Sequence, residues 1–151
     1  LKAKYVEEEN LHLTLKFFGE ILEKEVGMIA DVLKQLQVPR FSCSLDGLGF
    51  FGERILWINL QDRGEIKRLH DLIDEKLGDF FDPDARFHNH VTLARIKHVA
   101  DEQKLRAFVE RIAVKSLEFP VEEYVLKKSE LTPEGPVYED IYRFYLDNAQ
   151  S

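Results

Sequence analysis

Leu11-His12-Leu13-Thr14-Leu15-Lys16-Phe17 alternates apolar and polar residues without a break, and His90-Val91-Thr92-Leu93 repeats its core pattern about half a chain later. A period of two is that of a strand with one buried face, so Leu11, Leu13, Leu15 and Phe17 are expected to face a core. His12 and Thr14 then share the opposite face, as do His90 and Thr92. Each copy therefore displays an imidazole beside a hydroxyl.

The flanking sequence repeats as well. After the first copy, Lys24–Gln37 carries Val26, Ile29, Ala30, Leu33 and Leu36 at helical spacing and stops before Pro39. Two strand candidates follow, Phe41–Phe50 and Arg54–Leu60, joined through Gly52. A second helix is marked by Ile66, Leu69, Ile73 and Leu77, with Gly78 as its stop. His70 on this helix is expected at the surface.

After the turn Asp82-Pro83-Asp84, strand character returns over His88–Ile96. Asp101 caps a third helix with Leu105, Phe108, Val109 and Ile112 on its apolar side, and strands are expected at Leu117–Lys128 and Val137–Leu146 around a Pro- and Gly-rich turn. Helices and strands interleave without a low-complexity linker, so the class is α+β. The echo of a His-x-Thr strand, a helix and a strand pair implies two related lobes within one domain spanning 1–151.

Bulk properties narrow the function classes. The chain has 151 residues, 44% hydrophobic and 32% charged, an ordinary globular balance without the low-hydrophobicity signature of disorder. Its net charge of -7 argues against a binder of long duplex DNA, which needs many cations to displace counterions. A small phosphate or the end of an RNA strand needs only a local positive site. No apolar run is long enough to cross a bilayer as a helix, and no secretory leader is visible, so a cytoplasmic protein is expected, with a monomer as the default state. The single cysteine, Cys43, reads as structural.

Two histidines suit the opening of a cyclic phosphodiester. One imidazole takes a proton from water while the other gives one to the departing sugar oxygen, and a pKa of about 6.5 lets the two protonation states coexist at one pH. Thr14 and Thr92 would hydrogen-bond the non-bridging oxygens as charge builds up there. No metal or cofactor is required. The rival chemistry is zinc held by His88 and His90, which share strand parity, but that site needs a third ligand and leaves both threonines unexplained.

Three ordered stretches carry a resemblance: Asn10–Glu20 around the first motif, His90–Arg95, and Ser129–Tyr138. With them the chain resembles the two-histidine phosphoesterase superfamily, specifically its RNA 2′,3′-cyclic phosphodiesterase branch, also called the 2′-5′ RNA ligase family. The resemblance implies a bilobal fold of two pseudo-symmetric lobes, each an antiparallel sheet with helices outside, around a central groove. It also implies metal-independent opening of RNA 2′,3′-cyclic phosphates to 2′-phosphates, with small cyclic nucleotides or tRNA fragments as further partners, and with 2′-5′ ligation in some members. Its motif residues fall on His12, Thr14, His90 and Thr92, with His12 as proton donor and His90 as proton acceptor. A further strand and helix, roughly thirty residues at ordinary element lengths, normally precede the first motif, so the chain is expected to be truncated at its N-terminus relative to the family.

The remaining candidates surround these four. Lys16 shares the parity of His12 and Thr14 and is a candidate phosphate contact. Arg95 is another, although strict alternation turns it away from His90 unless the strand bulges. Lys127, Ser129 and Tyr138 flank the last turn as substrate-binding candidates, and Phe18, Phe50, Phe51 and Tyr138 could stack on a base. The alternative from another class is an RNA-end or nucleotide-binding module that holds phosphate without turnover.

Overall fold

The computed structural model describes residues 2–6, 10–51, 55–98, 100–112 and 117–147. Among them are seven strands and three helices: β1 (Lys2–Tyr5), α1 (Glu23–Lys34), β2 (Phe41–Phe51), β3 (Ile55–Gln61), α2 (Glu65–Lys76), β4 (His90–His98), α3 (Glu102–Arg111), β5 (Glu118–Val121), β6 (Glu123–Thr132) and β7 (Gly135–Tyr145). The strands form a five-stranded sheet in the order β1-β4-β3-β2-β5 and a two-stranded sheet of β6 and β7. Every pairing within these sheets is antiparallel. The α+β class is as the sequence implies.

Two apolar clusters hold the elements together. The first joins Ile29, Ala30 and Leu33 of α1 to Leu69, Ile73 and Leu77 of the second helical region and to Leu126 and Phe144 of the small sheet. The second gathers Cys43, Leu60 and Ile66 on one face of the large sheet. The apolar stripe of α2 contributes to both, and Leu15 packs against both. That helix and that leucine form the seam.

Three expectations change. The stretch 11–17 forms no strand, and its alternation shifts phase at Leu15. Leu13 and Leu15 face the core, but Phe17 is 78% exposed while Phe18 turns inward. A strand is defined by its ladder, and among the described residues no neighbouring strand pairs with this segment. Second, the strand expected over Leu117–Lys128 is two strands in different sheets, with the break at Glu122. Third, β1 lies outside any predicted element and pairs with β4. The turn through Gly52 lies outside the described residues.

Candidate active site

His90 opens β4, and its register builds one half of the site. His90 stands opposite Asn59 of β3, and Thr92 opposite Trp57. Residues directly opposite share a face, so His90, Thr92, Asn59 and Trp57 lie together. Val91 and Ala94, opposite Ile58 and Leu56, take the other face. The register then slips between Leu56 and Trp57, with Leu93 as the extra residue on β4. This bulge returns Arg95, opposite Ile55, to the face of His90 and Thr92.

The His90 ring is half-buried, 6.0 Å from the indole of Trp57 and 6.1 Å from the ring of His88. Trp57 in turn lies across Gly49 of β2, where a Cβ would fall under 3.0 Å from three indole atoms. Nδ1 of His90 lies 3.1 Å from the carbonyl oxygen of His88. A carbonyl can only accept, so this bond assigns the proton to Nδ1 and makes Nε2 the proton-exchanging nitrogen. Burial lowers the His90 pKa; the bond to His88 raises it less, and the charge of His88 lowers it further.

The first motif repeats the device without the strand. Nδ1 of His12 lies 2.6 Å from the carbonyl oxygen of Asn10, again two residues upstream. The His12 ring stands edge-on to Tyr138, with centroids 5.0 Å apart. Thr14 is exposed and Thr92 half-buried.

Tyr138 places the last hairpin in the site. It stands opposite Ser129, and Lys127 opposite Asp140, all on one face because Lys127 and Ser129 are two apart. The candidates Lys127, Ser129 and Tyr138 thus share the face that Tyr138 presents to His12. Lys127 donates to Asp140 over 2.6 Å. This bond is the largest cause of a lowered Asp140 pKa; desolvation opposes it, and the charges of Lys127 and Arg143 add to the lowering.

Lys16 is a correction. Its ammonium is buried rather than turned to a groove, donating to Asp74 at 2.5 Å and to the carbonyl of Asp82 at 3.0 Å. The bend at Leu15 breaks the parity that linked it to His12 and Thr14. His70 is a second correction, since it is 2% exposed. It occupies a position of the same stripe as Ile66, Leu69, Ile73 and Leu77, which was the available signal for its burial. The stacking candidates also sort out: Phe18 packs on Phe81, Phe50 lies under the guanidinium of Arg106, and the Phe51 side chain lies outside the described residues.

Among the described residues, the one group of three side chains with metal-ligating spacing is His70, Asp74 and Asp84. His88 and His90 are not in it. In that group Lys16 already supplies the cation, 2.5 Å from Asp74 and 3.6 Å from Asp84. Trp57 is the site residue that sequence reasoning misses. It sits in the run Ile55-Leu56-Trp57-Ile58, where every residue is apolar and alternation cannot show which face it takes.

The 2′-5′ RNA ligase superfamily model matches residues 1–132. The chain belongs to that superfamily. It is 36% identical over 148 residues to the RNA 2′,3′-cyclic phosphodiesterase of Archaeoglobus fulgidus, covering 94% of this chain and 83% of that protein. The enzyme of the same name from Aeropyrum pernix is 36% identical over 149 residues, with 92% and 84% covered. Among solved structures, TT0787 of Thermus thermophilus superposes with a TM-score of 0.83 at 30% identity, covering 98% of this chain and 84% of that one. LigT of E. coli bound to 3′-AMP superposes with a TM-score of 0.76 over 95% of this chain and 81% of its own, which at 22% identity speaks to the fold alone. This superfamily's α+β fold of antiparallel sheets is therefore that of the present chain.

Proposed function

We propose that the chain hydrolyses RNA 2′,3′-cyclic phosphodiester ends to 2′-phosphates, with His12 as proton donor and His90 as proton acceptor. The observation that carries this reading is the shared anchoring of the two imidazoles. Each gives its Nδ1 proton to a carbonyl two residues upstream, which presets the tautomer in which Nε2 exchanges protons with substrate. The names of the relatives from Archaeoglobus and Aeropyrum support the reaction class.

In this reading Nε2 of His90 removes a proton from water as the water oxygen bonds to phosphorus. The bond from phosphorus to the 3′ oxygen breaks, and Nε2 of His12 protonates that oxygen. The phosphate stays on the 2′ oxygen, and both rings are reset when His90 releases its proton to solvent and His12 takes one up. Burial of His90 favours the neutral ring that a base requires. Thr14 and Thr92 stabilise the equatorial oxygens, and Arg95, on the face of His90 and Thr92, adds positive charge. A 5′-hydroxyl attacking in place of water forms a 2′-5′ linkage by the same two proton transfers, so ends of tRNA fragments fit the same chemistry.

Small cyclic nucleotides belong to this substrate class, and the setting is cytoplasmic. No helix among the described residues is long and apolar enough to cross a membrane. The test is turnover of a nucleoside 2′,3′-cyclic phosphate in EDTA, with the product resolved into 2′- and 3′-phosphates. The expected result is a 2′-phosphate, with rates lowered about 10²- to 10⁴-fold in His12→Ala and His90→Ala. Full activity in either variant sinks the assignment. Tight binding of RNA ends without turnover would favour a binding module instead.

A further inference from the structure

A catalytic group must be held to within a fraction of an ångström of its productive position. Residues 10–19 carry His12 and Thr14, and among the described residues no strand pairs with them. Beside the local bond of His12 to Asn10, polar contacts tie this segment to α2. Nδ1 of His70 lies 2.7 Å from the carbonyl oxygen of Leu15, one residue beyond Thr14. Nε2 of the same ring lies 3.2 Å from Asp74 Oδ2, and Lys16 reaches Asp74 Oδ1 at 2.5 Å.

The same cluster holds the approach to the second motif. The Asp84 amide donates to Asp74 Oδ2 at 3.0 Å, and Lys16 donates to the Asp82 carbonyl. Phe87, three residues before His90, stacks on His70 with centroids 4.2 Å apart and planes 8° from parallel. Lys16 and His70 are 3% and 2% exposed at the side chain, so water competes weakly for these bonds.

We propose that Lys16, His70 and Asp74 are positioning residues for the reaction, fixing the segment that carries His12 and Thr14 against α2. This rests on the assignment of His12 as proton donor. None of the three touches substrate; their effect passes through the Leu15 carbonyl and the backbone of Lys16. His70 is the sharpest member, because its Nδ1 must donate to Leu15 whatever else the ring does. The amide nitrogen of an asparagine can stand where that Nδ1 stands, whereas a leucine offers no donor.

The experiment compares His70→Leu with His70→Asn, using turnover of a nucleoside 2′,3′-cyclic phosphate and the imidazole ¹⁵N spectrum of His12. In His70→Leu, kcat falls about 10- to 100-fold with KM nearly unchanged, as expected when a reacting group is misplaced. The His12 ring also loses its single Nδ1-protonated form, and His70→Asn restores both. A folded His70→Leu with wild-type kcat and an unchanged His12 spectrum overturns the proposal. Should His70→Leu not fold, Asp74→Glu keeps the charge but moves the carboxylate. Altered His12 resonances there support positioning, and unaltered resonances with full turnover overturn it. The ¹⁵N readout needs no activity, so failure of the phosphodiesterase reading is seen separately.

Discussion

Arg95 stands opposite Ile55 across the β3–β4 ladder, one bulge away from the pairing of Thr92 with Trp57. Without that bulge the strand's alternation would send its guanidinium to the face of Val91. With it, Arg95 joins His90 and Thr92 and is exposed. In the proposed reading, an arginine there binds a phosphate diester in the ground state as well as in the transition state. Arg95→Ala is therefore expected to raise KM about fivefold to tenfold with a smaller change in kcat, the loss of about 1 kcal/mol that a partly solvated charge-assisted bond carries. Steady-state kinetics on a 2′,3′-cyclic nucleotide checks it, and an unchanged KM removes Arg95 from the site.

The lowered pKa of His90 fixes the sign of one pH dependence. Burial is the largest cause, with the His88 charge adding to it and the bond to the His88 carbonyl opposing. A base acts when neutral, so the rising limb of kcat/KM in the free enzyme is expected below the ordinary imidazole value of about 6.5. Proton NMR titration of the His90 ring should give the same midpoint. His88→Gln removes a nearby positive charge and keeps the backbone carbonyl, so it should move that midpoint upward. A midpoint above 6.5 in the wild type would contradict the role of burial.

How far the sequence reveals this molecule depends on what kind of information each residue carries. The stripes of α1 and α2 and the Asp101 cap of α3, whose carboxylate accepts from the Lys104 amide, are local signals and are legible. His12 and His90 stand out as a pair in the sequence because the His-x-Thr pattern recurs, and each ring sets its Nδ1 on a carbonyl two residues upstream. Alternation misleads at Leu11–Phe17 because the pattern states what a strand would bury, whereas no strand among the described residues pairs with it. Lys16 and His70 fail together for a related reason. Parity points Lys16 to the groove and polarity points His70 to the surface despite its place in the apolar stripe, whereas the Lys16, His70, Asp74 and Asp84 cluster balances two basic groups against two carboxylates across 68 residues of chain. Only the tertiary fold brings them together. The bulge at Leu93, which decides Arg95, likewise has no local signature.

Gly49 predicts a steric effect that is felt at His90. A Cβ on residue 49 would enter the Trp57 ring, and the indole is edge-on to the imidazole. Gly49→Ala must push Trp57 aside, with overpacking expected to cost about 1–3 kcal/mol. Because Trp57 is the one tryptophan in the sequence, its fluorescence reports the displacement directly. Urea unfolding should show the lost stability, and kcat should fall with it. Unchanged emission and midpoint would mean that β2 yields at this position.

The buried pair of Lys16 and Asp74 predicts how stability responds to acid. Desolvation raises the Asp74 pKa, but the bonds from Lys16 and the Asp84 amide, with the charges of Lys16 and His70, outweigh it and leave the pKa lowered. A carboxyl with a depressed folded-state pKa binds protons more readily unfolded than folded. Its contribution is thus present above the unfolded value of about 3.9 and is lost as pH falls through the lower folded value. Asp74→Asn should cost about 3 kcal/mol at neutral pH, because it leaves a buried ammonium short of its partner. The gap from wild type should shrink below about pH 3.9 as the native carboxyl takes up its proton. The exposed pair of Lys127 and Asp140 lowers the Asp140 pKa in the same direction, yet Asp140→Asn should change stability little, since solvent screens an exposed pair. Urea titrations of the two variants and the wild type across this range check both halves, and a gap for Asp74→Asn that stays constant with pH would exclude its carboxylate as the cause.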